Sequence, residues 1–259
     1  AVETLRTADV IAAEDTRHTR GLLAHYDIHT PMTSYHEHNK EEKGAELIER
    51  LRTGATVVCV SDAGLPGIAD PGGDLARRAI AEGIPVTPLP GANAALSALI
   101  CAGLPLDGFT FVGFLPRKEK KRRELLARLA AYPETLIFYE APHRLKETLA
   151  ALVAGLGEER KACAARELTK KFEEYRRTTL GELLAYYEEH EPRGEFVLIV
   201  AGADESAAAA DDVEEMSLTE RCEAHIAEGL DKKEAMRRTA QELGISRRDV
   251  YQAVLAGDV

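Results

Sequence analysis

The sequence predicts an α/β protein with two sheet domains and a small helical unit behind them. Three observations carry this. Twice in the first hundred residues a short apolar run enters a Gly/Pro-rich loop and then a helix-like stretch: 56–60 into 61–72, and 84–87 into 88–91. Strand, tight turn and helix in repetition describe an open, mostly parallel sheet, whose ligands sit beyond the carboxyl ends of the strands. The pattern then breaks at 104–108 (LPLDG) and resumes in a new order, which reads as a second domain with a mixed sheet. Finally, 203–215 (ADESAAAADDVEE) is acidic and alanine-rich, and helix-start signals follow it.

Each element has its own signal. Residues 8–13 read as a strand that runs into Glu14-Asp15-Thr16-Arg17. Residues 41–52 place Leu47, Ile48 and Leu51 on one helical face. Strand 56–60, helix 73–82, strand 84–87 and helix 92–101 complete an N-terminal domain over 1–106. In the second domain, 107–203, strand 109–113 leads through Phe114-Leu115-Pro116-Arg117-Lys118 into a charged helix, 119–131. Strand 135–139 ends in Glu140-Ala141-Pro142-His143-Arg144. Helix 144–155, strand 161–165, an amphipathic stretch 179–189 and strand 194–201 follow. Residues 204–216 are expected to be a linker or a weak helix. In the helical extension 217–259, Ser217-Leu218-Thr219-Glu220 is a capping box, and Asp231–Glu234 and Ser246–Asp249 resemble it. Gly244 breaks the last two helices, a helix-turn-helix spacing with Arg237, Arg238, Arg247 and Arg248 around the turn.

Composition narrows the function classes. The 259 residues are 45% hydrophobic and 30% charged, ordinary for a globular protein able to bury a real core. No apolar run approaches the ~20 residues of a membrane span. Four cysteines (Cys59, Cys101, Cys163, Cys222) are widely spaced with no CxxC pair, which fits a reducing cytoplasm. Cys59 and Cys101 sit in apolar runs and read as buried small hydrophobes. The chain begins at Ala1 rather than Met, and further residues are expected before it. A net charge of −11 argues against a generic nucleic-acid coat. Yet 117–128 (RKEKKRRELLAR) holds seven basic and two acidic residues, a directed anion-binding signal.

The two Gly/Pro loops are the strongest candidates for a ligand crevice. Neither has P-loop spacing or a lysine to reach a terminal phosphate, and GxGxxG and GxSxG are absent. The first loop carries Asp62 and Asp70, which suits a ligand with a cationic centre. His36-Glu37-His38 has no further His or Cys at metal-ligand spacing, so no metal is expected. Charged or proline-stiffened motifs end or follow four extended runs: Glu14–Arg17, Ser34–Asn39, Glu140–Arg144 and Arg166–Glu174. That placement suggests one large shared crevice.

Seven blocks, in order, resemble one family: EDTRHTRGLL (14–23), SYHEHN (34–39), VSDAGLPGIADPG (60–72), PLPGANAALSAL (88–99), FVGFLPRK (111–118), FYEAPHRL (138–145) and ARELTKKFEE (165–174). They resemble the small-subunit (16S) ribosomal RNA (cytidine-2′-O)-methyltransferases, a branch of the tetrapyrrole methylase superfamily. The resemblance implies a homodimer that uses S-adenosylmethionine, folded between two α/β domains, to methylate a cytidine ribose of the small ribosomal subunit. Members of that family begin with an apolar strand and a TPIGN-type loop ahead of the position of Ala1.

On this resemblance the cofactor is expected at Ser61, Asp62, Ala63, Gly64, Pro66 and Ile68, at Pro90, Gly91, Ala92 and Ala94, and at Phe114 and Leu115. RNA is expected at Arg17, His36, Asn39, Arg117, Lys118, Lys120, Lys121, Arg122, Arg166, Lys170 and Lys171, where cations meet phosphates. Phe172 or Tyr175 would stack a splayed base. A ribose hydroxyl is weakly acidic, so a general base helps; Glu14, Asp15 and Glu140 are the candidates, with Arg144 as orienting cation. Two other readings share the fold: a methyltransferase acting on a tetrapyrrole carbon, and a non-catalytic RNA-binding assembly factor.

Overall fold

The computed structural model describes residues 1–62, 64–203, 218–227, 229–242 and 246–256. Residues 1–203 form one compact unit, and the C-terminal helices belong to another.

The first sheet has three parallel strands in the order β2-β1-β3. β1 (Val10–Ala13) is its centre and is buried on both faces. Its register pairs Ala13 with Ser34 of β2 (Met32–Ser34) and with Val60 of β3 (Val57–Val60). Alternation sends Val10 and Ala12 toward Leu47 and Ile48 of α3 (Lys40–Arg52) and Leu75 and Ala79 of α4 (Gly72–Ala81). Ile11 packs instead against Leu5 of α1 (Val2–Thr7) and Leu23 of α2 (Thr16–His25). Helices therefore cover both faces, as a parallel sheet requires.

The expected strand at 84–87 does not form. Residues 84–93 form neither helix nor strand. Pro85, Pro88 and Pro90 each lack the N–H that a ladder needs, so the run cannot pair continuously.

The second sheet is mixed, with five strands in the order β4-β5-β8-β6-β7. β4 (Phe109–Gly113) is parallel to β5 (Thr135–Glu140). β8 (Phe196–Val200) runs antiparallel between β5 and β6 (Lys161–Arg166), and β7 (Glu174–Thr179) is the antiparallel edge. β7 is absent from the strands expected above, because it reads Glu-Tyr-Arg-Arg-Thr-Thr, an edge strand without an apolar stripe.

One face of this sheet sets Leu136, Phe138 and Leu198 against α6 (Glu119–Leu129), α7 (Leu145–Leu156) and α8 (Leu180–Glu189). Leu145, Leu149, Leu152, Leu180 and Leu183 are fully buried there, each contributing roughly 1.5–3 kcal/mol. The other face takes α5 (Ala94–Ala102), whose Ala95, Ala98, Leu99 and Ala102 lie on Ile137, Cys163 and Ile199. This stripe follows i, i+3, i+4, i+7 spacing. It turns Leu96, Ile100 and Cys101 outward, so Cys101 is exposed rather than in the core as expected. α5 precedes the 104–108 break in sequence and yet packs on the second sheet.

The C-terminal unit has helices Leu218–Ala227, Lys232–Glu242 and Arg247–Ala256. Cys222, Ala240, Val250 and Val254 form its core. The linker 204–216, the cap residue Ser217 and Gly244 lie outside the described residues.

Candidate functional site

Three strand ends meet at the carboxyl edge of the first sheet. Glu14 follows β1, Tyr35 follows β2, and Ser61-Asp62 follow β3. The carboxylate of Glu14 accepts from Ser61 Oγ at 3.2 Å and from the Asp62 amide at 3.5 Å. Asp62 in turn accepts from the Asp15 amide at 3.3 Å and lies 3.6 Å from His18 Nδ1. Ligand-type atoms of Asp15, His18 and Asp62 fall within 4.8 Å of one another. Asp15 caps α2 through the Arg17 amide (2.8 Å) and pairs with Arg17 Nη2 at 2.6 Å. Those Arg17 contacts hold the Asp15 carboxyl well below the usual carboxylate range.

The loop after β3 is braced from within. Asp70 accepts from the Gly67 amide at 2.9 Å and from the Gly72 amide at 2.7 Å, so it closes the loop on itself. Beneath it the Cys59 thiol is pushed up to about 12, by burial first and then by the charges of Asp70 and Glu14. That thiol is protonated and inert at neutral pH. Pro66 and Ile68 lie partly buried in this loop, and Ala63 lies outside the described residues.

Gly64 joins the two loops. Its φ is +94°, and a Cβ there would stand 2.9 Å from the carbonyl oxygen of Ala92. The backbone after β3 therefore touches the backbone before α5. Pro90, Gly91 and Ala92 are exposed at this junction, and Ala94 opens the helix partly buried.

α5 is clamped at both ends. Asn93 caps it by accepting from the Leu96 amide at 3.0 Å, and the Ala95 amide donates to Tyr139 Oη at 3.2 Å. At its other end Arg177 forks onto the Cys101 carbonyl at 2.9 and 2.6 Å, where the helix dipole favours a cation. So one wall belongs to the first sheet, and the other is fastened to the second. Tyr139 also meets the rings of Phe111 (5.1 Å) and Phe114 (5.9 Å) edge-on. Phe114 is half exposed beside this wall, whereas the Leu115 side chain is buried in the core and leaves only its backbone to face a ligand.

The basic residues divide. Arg117, Lys118, Lys121 and Arg123 are exposed and have no ion-pair partner among the described residues. Arg122 is nearly buried and paired with Glu147 at 2.6 Å, and Lys120 lies 4.0 Å from Glu124. Arg166 pairs with Glu174 (2.8 Å), and Lys170 with Glu167 and Glu195 (3.0 and 2.8 Å). Lys171 sits over the exposed Phe172 ring at 5.6 Å. Asn39 shapes its own turn, accepting from the His36 amide at 2.8 Å and donating to Ser34. His36 Nδ1 is buried without a hydrogen-bond partner among the described residues. Tyr175 is partly buried, and burial is the first cause that raises its hydroxyl to about 12.

Among the described residues, no hydrogen bond or ion pair joins Glu140 or Arg144, at the end of β5, to Glu14, Asp15 or Asp62. Glu140 is fully buried and bound on both oxygens, by the Ala141 amide (2.9 Å) and by Thr148 Oγ1 (2.5 Å). His18, Tyr139, Thr148 and Arg177 are functional-site residues that no motif singles out; for Tyr139, the place at a strand end is the available signal.

A family model for tetrapyrrole (corrin/porphyrin) methylases matches residues 1–184. The protein named ribosomal RNA small subunit methyltransferase I in Halalkalibacterium halodurans is 49% identical over 253 residues, covering 97% of this chain and 87% of that protein. The protein of that name in Bacillus subtilis is 46% identical over 255 residues, covering 98% and 87%. Among solved structures, uroporphyrin-III C-methyltransferase from Thermus thermophilus, complexed with S-adenosyl homocysteine, aligns with a TM-score of 0.53 at 20% identity, over 81% of this chain and 91% of that one. At that identity the likeness is one of fold alone. The chain belongs to the tetrapyrrole methylase family, on the branch of the ribosomal RNA small subunit methyltransferase I proteins.

Proposed function

We propose that this chain is an S-adenosylmethionine-dependent methyltransferase that methylates a cytidine ribose 2′-hydroxyl in small-subunit ribosomal RNA. The observation that carries the reading is the near-full-length likeness, at 46–49% identity, to proteins named ribosomal RNA small subunit methyltransferase I; the cytidine 2′-hydroxyl rests on the resemblance of the seven sequence blocks. Bound S-adenosylmethionine would supply an electrophilic methyl group on a sulfonium centre. The residues present fit such a group. Asp62 brings a carboxylate to a cationic ligand, and Gly64 lets the two loop backbones meet, since a Cβ there would stand 2.9 Å from the Ala92 oxygen. Ser61, Pro90, Gly91 and Ala92 supply backbone edges, and Phe114 an apolar face.

Methyl transfer is chiefly a matter of alignment, with a base to take the hydroxyl proton. We assign the base role to Glu14. Asp15 is a weak base, since Arg17 holds its carboxyl low. Glu140 is buried and bound on both oxygens. RNA phosphates would meet Arg117, Lys118 and Lys121, joined by Arg123. Lys171 with Phe172 offers a second contact, with Arg17, His36, Asn39, Lys120, Arg166 and Lys170 at the rim.

We further assign a homodimer. Leu96 and Ile100 of α5 are exposed, as are Phe109 and Phe111 of β4, and a second copy would cover such a face. Four free thiols and the RNA substrate fit the cytoplasm. No described helix is long and apolar enough to cross a membrane. The test is transfer of a labelled methyl group to small subunits from a strain lacking this activity, with uroporphyrinogen as the competing acceptor. Labelled RNA is the expected result. Labelled tetrapyrrole alone would overturn the reading, and cofactor binding without any transfer would leave an assembly factor.

A further inference from the structure

We propose that Glu140, Thr148 and Arg144 form a buried clasp that sets the loop after β4, and with it the start of the RNA-facing basic run. This rests on the RNA reading above, because the loop matters only if Arg117, Lys118 and Lys121 meet phosphates.

Glu140 is the last residue of β5, and its side chain is wholly buried. Thr148 Oγ1, itself buried, donates to Oε2 at 2.5 Å, and the Ala141 amide donates to Oε1 at 2.9 Å. Arg144 Nη1 stands 3.6 Å from Oε1. The guanidinium does not fork onto the carboxylate. Its Nη2 donates instead to the Leu115 carbonyl at 3.0 Å. The carboxylate thus holds the cation, and the cation holds the loop backbone.

The loop is pinned on either side of one exposed residue. Gly113 is buried at φ +72°, and Leu115 is buried in the core. Phe114 between them is forced outward, against Tyr139. Two residues on from Leu115 the free cations begin. β5 therefore ends in two neighbours with opposite duties. Tyr139 faces α5 and the cofactor loops, while Glu140 faces the clasp, as strand alternation dictates. A buried ion pair is a poor way to gain stability, since apolar residues of the same volume usually do as well. Its use here is to fix a position. Glu140, Thr148 and Arg144 are positioning residues, acting through the Leu115 carbonyl.

The test uses the full chain with Thr148→Val, Thr148→Ser and Arg144→Lys. Two quantities are read: amide exchange of Ala141 and Arg122, which donate to the Glu140 carboxylate and to the Lys118 carbonyl, and kcat and KM on a small-subunit RNA fragment. Loss of one hydrogen bond to a charged group predicts exchange faster by about tenfold or more in Thr148→Val and Arg144→Lys. KM for RNA should rise by a similar factor with kcat nearly held, and Thr148→Ser should restore both. Folded variants with unchanged exchange and unchanged KM would overturn the clasp. A fall in kcat at constant KM would also overturn it, since these groups would then act on the reacting atoms. If Thr148→Val fails to fold, Arg144→Lys carries the same readouts. Exchange that behaves as expected in a chain that binds no small-subunit RNA would uphold the clasp and defeat the RNA reading alone.

Discussion

Replacing Gly64 by alanine adds one methyl group at the place where the two candidate cofactor loops touch. Two costs follow. At φ +94° an L-residue is strained by about 1–2 kcal/mol. The new Cβ would also stand 2.9 Å from the Ala92 oxygen, and both partners there are backbone, so a loop must move. Gly54→Ala separates these costs. Gly54 has φ +91° and nothing within 4 Å of its Cβ position, and it lies at the far end of α3. Both variants should lose thermal stability, by roughly 2–4 °C per kcal/mol for a unit of this size. Only Gly64→Ala should weaken binding of S-adenosyl homocysteine, by about tenfold or more if the displaced loop forfeits ~1.4 kcal/mol of contact. Calorimetry on the two folded proteins decides. Equal affinity in Gly64→Ala and wild type would refute the view that this junction lines the cofactor site.

Three further outcomes are expected. Changing Arg117, Lys118, Lys121 and Arg123 together to alanine should shallow the salt dependence of RNA binding by up to about three in slope, the equivalent of four phosphates at ~0.7 each for single strands; Arg122→Ala should lower Tm instead and leave the slope alone, because Arg122 is spent on Glu147. Asp15 is depressed in the folded chain by Arg17, so its contribution is fully present above the ordinary carboxylate pKa and fades as pH falls toward the folded value. Asp15→Asn should therefore lower Tm at pH 7, with the difference from wild type narrowing below about pH 4 in acid titrations followed by circular dichroism. A chain ended after Ala203 should keep its cofactor affinity by calorimetry, because the strand-end loops all lie within the 1–203 unit, and should show a raised KM for small subunits.

The parts of the fold that follow from local periodicity were legible in the sequence. α3 places Leu47 and Ile48 inward as spacing demands, and β4 occupies the expected residues. The failures have physical causes. Residues 84–87 look like a strand by apolarity, but proline removes the donors a ladder needs. β7 looks like a loop by polarity, yet Arg166 and Glu174 pair across its end. The apolar stripe of α5 does not itself name a sheet; it lies on Ile137, Cys163 and Ile199 of the second, where Tyr139 and Arg177 also hold its ends.

The candidate site was legible as a set of loops but not as a set of roles. That Glu14 answers Ser61, or that Arg144 reaches Leu115, depends on pairings 47 and 29 residues apart. Nor does spacing tell which cations of the 117–128 run stay free. Arg122 turns inward to Glu147, while Lys121 and Arg123 on either side stay in solvent.

The most direct test of the account is nucleoside analysis of RNA from small subunits methylated by this chain. Subunits lacking the modification would be incubated with the protein and labelled S-adenosylmethionine, and the RNA digested and resolved by mass spectrometry. The account predicts one labelled product, 2′-O-methylcytidine, formed by wild type and lost in Asp62→Ala. A methyl group on a base, or on the ribose of another nucleoside, would contradict it.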